Sequence, residues 1–307
     1  MKWYTKTAIA LGSILLVTGS FFVYHMYDTT SNATEEMHEP LESRTLSDGV
    51  SKERADSPSP GDPLSFLVAG VDSHSEAHYG RADALLLLTV NAQEKSIQMV
   101  SIPRDTRTEI VGQGTIEKIN HAYAYGGPDM LIQSVENLFD LPIDHYLSID
   151  MEQFIPFIDT LGGVNVTNEL AFSLSGHEFD EGELSLDGEE ALAYVRMRKD
   201  DPNGDAGRTE RQRDVVESII DEGLQLSQVS SAPELIRSIG STVETDLTLS
   251  QMISYAQNYH QATESIEQLE LTFHEETIDG IWYAVIPEDE QQRVATKLQS
   301  HLNLIKE

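Results

Sequence analysis

Apolar and polar residues alternate along this chain in blocks whose lengths separate three regions. The first block is an uncharged run from Thr7 to Tyr24 that includes Leu11, Ile14, Leu15, Leu16, Val17, Phe21, Phe22 and Val23, preceded by Lys2 and Lys6. At 1.5 Å per residue this run just spans a hydrocarbon core of about 30 Å. A cleaved signal peptide would need a shorter apolar core followed at once by a small-x-small site, whereas Phe21 to Tyr27 is bulky. The pattern therefore predicts an uncleaved signal-anchor helix over 7–27, with residues 1–6 in the cytoplasm. Positive charge before the span and Asp28, Glu35 and Glu36 after it place the remainder of the chain outside the cell membrane. Residues 28–63 are polar and rich in Ser, Glu, Asp and Pro. They cannot bury a core and are expected to be an extracellular tether.

From residue 64 the pattern changes to short apolar runs bounded by Gly, Pro or charge. Leu64–Gly70, Ala84–Val90, Ile97–Ile102 and His145–Ile149 have the length and the Leu/Val/Ile content of buried strands. Between and after them the period lengthens to that of helices. Pro128–Phe139 opens on proline and repeats apolar residues at Leu131, Val135 and Leu138. Met151–Leu161 carries Phe154, Phe157 and Ile158 on one side and stops at Gly162-Gly163. Asp187–Tyr194 starts on a capping Asp with Glu190 three residues on. Thr209–Leu226 turns Val215, Val216, Ile219 and Ile220 inward. Beyond 227, Pro233–Ile239, Ser250–Tyr259 and Glu290–Leu302 read as helices, and Leu269–Phe273 and Trp282–Ile286 as strands. Strands alternating with helices predict an α/β layered domain over 64–305.

Charge sharpens the picture. Lys+Arg number 20 against Asp+Glu 52, a net charge of -32, which excludes general nucleic-acid binding because a phosphate backbone needs a positive counter-surface. With no cysteine there are no disulfides, thiol nucleophiles or Cys-type zinc sites.

Against that acidic background the arginines are gathered. Arg81, Arg104, Arg107, Arg196, Arg198, Arg208, Arg211 and Arg213, eight of the twelve in the chain, fall within 81–107 and 196–213. Pairing with nearby carboxylates explains any one of them, Arg107 and Arg213 above all, but not the clustering. A guanidinium is permanently charged, and its planar fork of donors matches phosphate oxygens, so the cluster implies a phosphate or pyrophosphate ligand. Arg208, Arg211 and Gln212 share one helical face at i, i+3 and i+4. Gly204 and Gly207, just before that face, suggest a helix N-terminus open to an anion. Asp72, Asp83 and Asp105 sit at strand ends, where ligands collect in α/β sheets. A pair such as Asp72 and Asp83 together with phosphate oxygens would suit Mg²⁺ or Mn²⁺, although each Asp alone is also an ordinary turn or cap residue.

The strings FLVAGVD (66–72), RADALLLLTV (81–90), SIPRDT (101–106), KINHAYAYGG (118–127), LGGVNV (161–166) and YVRMRKDDPNGDAGRTERQRDVV (194–216), in this order and spacing, resemble the LytR–CpsA–Psr family, with the core motifs in 64–225. The resemblance implies a central mixed β-sheet flanked by helices, with a groove for a polyprenyl chain. It implies a transferase that moves teichoic acid or another anionic glycopolymer from a polyprenyl-pyrophosphate carrier to peptidoglycan during cell wall biogenesis. Asp72 and Asp83 match the family's magnesium-associated aspartates. Arg104, Arg196, Arg198, Arg208 and Gln212 match its pyrophosphate residues, with Arg81 and Lys118 in the same site. Arg104, Asp83, Asp105 and Arg198 are the residues expected to carry the chemistry, with the base left open between Asp83 and Asp105. Two other activities would use the same residues: hydrolysis of the lipid pyrophosphate, and non-enzymatic binding of a polyprenyl phosphate.

Overall fold

The computed structural model describes residues 58–72, 79–227 and 243–305. The expected cytoplasmic segment 1–6, anchor 7–27, nearly all of the tether 28–63 and the helix over Pro233–Ile239 lie outside the described residues. No helix among the described residues is long and apolar enough to cross a membrane.

A six-stranded mixed sheet forms the centre. Its strands are β1 (Leu64–Asp72), β2 (Arg81–Asn91), β3 (Ser96–Ser101), β6 (His145–Asp150), β11 (Val243–Thr245) and β12 (Ser265–Leu269), in the order β11-β6-β1-β2-β3-β12. β1 runs parallel to β6 and β3 parallel to β12, while β1–β2, β2–β3 and β6–β11 are antiparallel. The four strands expected from apolar runs are thus all present. They are mostly apolar because helices pack on both faces of the sheet, and polar exceptions such as Ser65, Thr89 and Ser148 are themselves buried.

Alternation divides the side chains between those faces. Leu67, Ala69, Leu85, Leu87 and Val100 pack against the helices α1 (Asn120–Phe139) and α6 (Glu288–His301). Leu86, Leu88, Ile97 and Met99 face the long helix α4 (Asp205–Ser227), where Phe66, Val68, Val90, Val216 and Ile220 are only partly buried. A second apolar cluster joins α2 (Phe154–Leu161), β7 (Val164–Asn168) and α3 (Gly188–Arg196) to Val215 of α4. α3 begins at the expected capping box. Glu190 N–H donates to Asp187 Oδ1 at 2.9 Å, and Asp187 N–H donates to Glu190 Oε2 at 3.1 Å.

Two boundaries depart from the periodicity. The helix expected from Pro128 begins eight residues earlier at Asn120, because the chain kinks at Gly126-Gly127 and resumes. Gly127 has φ +61°, and a Cβ there would lie 3.1 Å from the Tyr79 ring, so glycine satisfies both backbone and packing. The strand expected over Leu269–Phe273 is instead the end of β12 followed by a connection to β13 (His274–Ile278). Its Leu271 and Phe273 are apolar because they pack on the main core. Short hairpins were not foreseen. They include β4 (Arg107–Ile110) with β5 (Thr115–Lys118), β7 with β10 (Gly182–Leu186), and β13 with β14 (Ile281–Val285).

Candidate active site

At one end of the sheet, β1 and β2 bring Asp72 opposite Arg81. Two residues along β2 the pairing slips. Gly70 faces Ala84 and Val71 faces Ala82, so Asp83 is the extra residue of a β-bulge. The slip is needed because Ala82 and Leu85, three apart, both belong to the core on the α1 side, which strict alternation forbids. It leaves Asp83 re-aimed beside the strand, a device found often near active sites.

Asp83 Oδ1 receives Arg104 Nη1 at 3.0 Å. Arg104 lies in the loop after β3, whose backbone is held on three sides. Thr106 N–H donates to Pro103 O at 2.9 Å, Asn120 N–H to Arg104 O at 3.2 Å, and Ala284 N–H of β14 to Asp105 O at 3.0 Å. Arg104 Nε is 3.5 Å from Asp105 Oδ2, and Lys118 Nζ is 2.6 Å from Asp105 Oδ1. Asp83, Arg104, Asp105 and Lys118 therefore form one chain of alternating charge, with side chains 17–28% exposed. Such a chain fixes the cations in place while each side chain stays partly exposed.

The second arginine stretch is built by the turn from α3 into α4. Arg196 is the last residue of α3, and Met197 is extended with φ −62° and ψ 128°. Met197 is buried and Arg196 and Arg198 are both exposed, as their spacing of two in an extended chain requires. Arg208 and Gln212 follow in α4. In steps of four they continue to Val216 and Ile220, so one row of the helix is polar at its start and apolar further on. A cavity lined by Ser101 and Pro103 on one side and Asn203, Ala206 and Thr209 on the other sets the first turns of α4 beside the Arg104 loop. Between α4 and the sheet runs a groove of about 380 Å³ with a nearly wholly apolar lining, including Phe66, Val68, Val90, Val216, Ile219 and Ile220.

Arg211 behaves differently from the expectation that it faces the ligand with Arg208. Its guanidinium is buried, with Nη2 2.8 Å from Asp201 Oδ2 and 2.8 Å from Met197 O, and it lies over the rings of Phe172 at 5.4 Å and Tyr194 at 5.9 Å. The glycine-rich helix start is likewise served from within. Asp201 lies against Gly207 so closely that a Cβ there would be 1.9 Å from Asp201 Oδ2, and Asp201 Oδ1 accepts from Asn203 N–H at 2.6 Å. Gly207 thus makes room for an internal carboxylate, which in turn claims Arg211.

A larger cavity of about 630 Å³ on the far side of α4 is walled by Glu169, Glu210, Asp214, Glu217, Asp221 and Glu222. Burial, reinforced by Glu210, pushes the Asp214 carboxyl up to about 6. This wall repels phosphate, so size alone misidentifies the site.

Several neighbours of the charge chain were not singled out from the sequence. Glu117 Oε2 accepts from Tyr125 OH and contacts His121 Nδ1, each at 2.9 Å. These bonds, His121 first, hold the Glu117 carboxyl below its ordinary value, and Glu117 in turn raises the Tyr125 phenol while Arg81 opposes that rise. Lys118 Nζ lies 6.0 Å from the Trp282 ring and 5.9 Å from that of Tyr283. The histidine and tyrosine lay inside the motif KINHAYAYGG, where only Lys118 carried a charge suited to phosphate.

As to a metal, Asp72 and Asp83 are two carboxylates at one sheet end, and no group of three or more His, Cys, Asp or Glu suited to a metal occurs among the described residues. Two carboxylates fit Mg²⁺, which keeps waters and takes its other ligands from substrate phosphates.

A sequence model of the LytR_cpsA_psr family matches residues 22–300. The chain is 49% identical over 303 residues to the polyisoprenyl-teichoic acid–peptidoglycan teichoic acid transferase TagU of Halalkalibacterium halodurans, covering 97% of this chain and 99% of that protein. The crystal structure of B. subtilis TagU matches at 40% identity with a TM-score of 0.65, covering 78% of this chain and 97% of that one. A structure of TagT bound to LIIa-WTA matches at 31% identity with a TM-score of 0.71, covering 87% of this chain and 100% of that one.

Proposed function

The chain belongs to the LytR_cpsA_psr family, and from that premise we propose that it transfers an anionic glycopolymer of the teichoic acid type from a polyprenyl-pyrophosphate carrier to peptidoglycan, at the outer face of the cell membrane. The observation that carries this reading is the row Arg208, Gln212, Val216, Ile220 on α4, with its apolar end on the groove. A long isoprenoid tail and a diphosphate head are matched by the two ends of that row. The groove supports the tail, because apolar surface left partly unburied between sheet and helix is stabilised when a hydrocarbon fills it.

The reaction is phosphoryl transfer, in which positioning and charge stabilisation supply most of the rate. A sugar hydroxyl of the acceptor forms a new bond to the phosphorus that carries the glycopolymer. The bond from that phosphorus to the bridging oxygen breaks, and polyprenyl phosphate leaves. The hydroxyl proton passes to a carboxylate of the Asp83–Asp105 pair. Arg104, Lys118, Arg196, Arg198 and Arg208 hold the diphosphate oxygens and stabilise charge on the leaving phosphate, with Arg81 beside Asp72 at the rim and Gln212 orienting an oxygen. Asp72 and Asp83 would hold Mg²⁺ (or Mn²⁺), which when bound neutralises diphosphate charge. Arg211 contributes by holding the α3–α4 turn. The uncharged run from Thr7 to Tyr24 behind Lys2 and Lys6 is the membrane anchor in this reading.

The test is transfer of a labelled glycopolymer from lipid carrier to peptidoglycan by the full chain in detergent. Arg104→Ala and Arg198→Ala should each lower the rate by roughly 100-fold or more, the cost of losing one transition-state donor, while the unfolding temperature stays near that of the wild type. Full transfer activity in both variants would refute the assignment. Assays with and without peptidoglycan separate transfer from hydrolysis, and release of polyprenyl phosphate separates both from mere binding.

A further inference from the structure

The cavity between the first turns of α4 and the end of β3, about 270 Å³ in volume, has no part in holding the diphosphate or its tail. Ser101, Asn203, Thr209 and Arg213 line it, over Leu271 and Phe273. Two of its polar atoms lack hydrogen bonds. Ser101 is 8% exposed, and its buried Oγ makes none; the buried Nε of Arg213 makes none either. Alternation along β3 puts Ser101 on the same face as Ile97 and Met99, the face covered by α4. A buried hydroxyl without a partner is unfavourable because it has given up its bonds to water, and native structures seldom leave one so. At this position a ligand's polar group would satisfy it.

The chemistry of the lining narrows the ligand. Hydroxyls, an amide, the Arg213 guanidinium and the Glu210 and Glu270 carboxylates offer donors and acceptors with no excess of positive charge. That suits a neutral, hydroxyl-rich group better than a phosphate. Leu271 and Phe273, partly buried against the main core, supply an apolar floor. A polar rim over an apolar floor, at a volume near the lower end of ordinary ligand pockets of about 300–1,000 Å³, fits a single pyranose ring. Its location fits a role as well. Along α4 the apolar groove takes Val216, Ile219 and Ile220, and this cavity takes Ala206, Thr209 and Arg213. Along β3 the groove takes Ile97, and the cavity takes Ser101, with Pro103 next to Arg104. Along α4 the cavity is therefore level with Arg208 and Gln212, and along β3 it lies between the groove and Arg104, so it sits beside the charges at the head end of the groove.

We infer that this cavity is the subsite for the acceptor sugar, the ring whose hydroxyl takes up the transferred phosphate. This rests on the transferase reading above, but it assigns the acceptor to residues outside both the charge chain and the groove. It is tested with the full chain in detergent and a short soluble glycan oligomer prepared from peptidoglycan, first by calorimetric binding without donor and then as acceptor in transfer. Ala206 is exposed at the rim, so Ala206→Tyr plugs the cavity from a helix surface position, and Asn203→Ala removes a polar contact without adding bulk. Both should weaken glycan binding and raise the acceptor KM by about tenfold, the loss of one well-made contact, with the donor KM within twofold of wild type. Glycan binding that is absent from the wild type, unchanged in both variants, or lost together with an equal rise in donor KM overturns the assignment. If the wild type binds the glycan through this cavity yet transfers nothing from the lipid pyrophosphate, the transferase reading fails and the sugar subsite stands.

Discussion

Replacing Arg211 by alanine separates an internal counter-ion from a ligand-binding cation. The Asp201 and Arg211 side chains are 4% and 7% exposed, and Nη2 meets Oδ2 at 2.8 Å. Truncating the arginine strands a carboxylate that water cannot reach, a loss of roughly 3–5 kcal/mol for a buried pair broken from one side. The bond to Met197 O and the stacking over Phe172 and Tyr194 are lost with it. For a domain of this size, about 2–4 °C accompanies each kcal/mol, so the unfolding temperature should fall by roughly 6–20 °C. Differential scanning calorimetry of the full chain in detergent reads this directly. Gly207→Ala should act in the same direction, because its Cβ would sit 1.9 Å from Asp201 Oδ2 and must push the carboxylate off its partner. Asp201→Ala combined with Arg211→Met should recover at least half of the loss, since removing both charges leaves none buried alone. If Arg211→Ala kept the wild-type unfolding temperature and lost affinity for a lipid pyrophosphate instead, the guanidinium would be ligand-facing and the internal pairing would be wrong.

Two further predictions concern pH and have opposite signs. His301 is buried with Nδ1 2.7 Å from Thr89 Oγ1 and Nε2 2.9 Å from Ser96 Oγ, and burial pushes its pKa below 6.5. The unfolded chain then takes up the proton first, so stability is lost as pH falls below 6.5. Urea titrations at pH 7.5 and 5.5 should show that loss in the wild type and less of it in His301→Gln; an equal loss in both would remove His301 as its source. Asp214, raised from 3.8 to about 6, contributes stability that is present below pH 3.8 and is lost as pH rises through 6. Asp214→Asn should therefore stabilise the domain at pH 7.5, by on the order of 1 kcal/mol once solvent screening is allowed for, and do nothing at pH 4. A stabilisation independent of pH would show that charge is not the cause.

The strands of the central sheet were legible because a strand covered on both faces is mostly apolar, and Leu64–Gly70 and Ala84–Val90 are so but for the buried Ser65 and Thr89. The start of α3 was legible because Asp187 and Glu190 form a local cap that depends on no distant residue. What could not be read depended on distant partners. Leu271 and Phe273 looked like strand because they are apolar, yet that character serves packing on the core rather than pairing. The bulge at Asp83 follows from which face Ala82 and Leu85 must share, and a single strand carries no trace of its neighbour's register. The clustering of arginines drew notice to Arg104, which the structure sets in a charge chain with Asp83, Asp105 and Lys118. It could not show that Arg211 turns inward to Asp201, because a count of charges along the chain carries no direction. His121, Tyr125 and Trp282 were not legible as site residues because none carries the fixed positive charge that marks the arginines, and only their placement beside Lys118 and Arg81 gives them interest.

The row from Arg208 to Ile220 makes α4 a molecular ruler. Twelve residues at 1.5 Å set its two ends roughly 18 Å apart on one rigid rod. A soluble sugar nucleotide brings a diphosphate but nothing to reach the far mark, and a free isoprenoid alcohol reaches it but leaves the near mark blank. Only a molecule carrying both features at the right separation reads full scale. In the proposed reaction, discrimination between membrane-borne cargo and the chemically similar metabolites in solution would then rest on the length of a single helix.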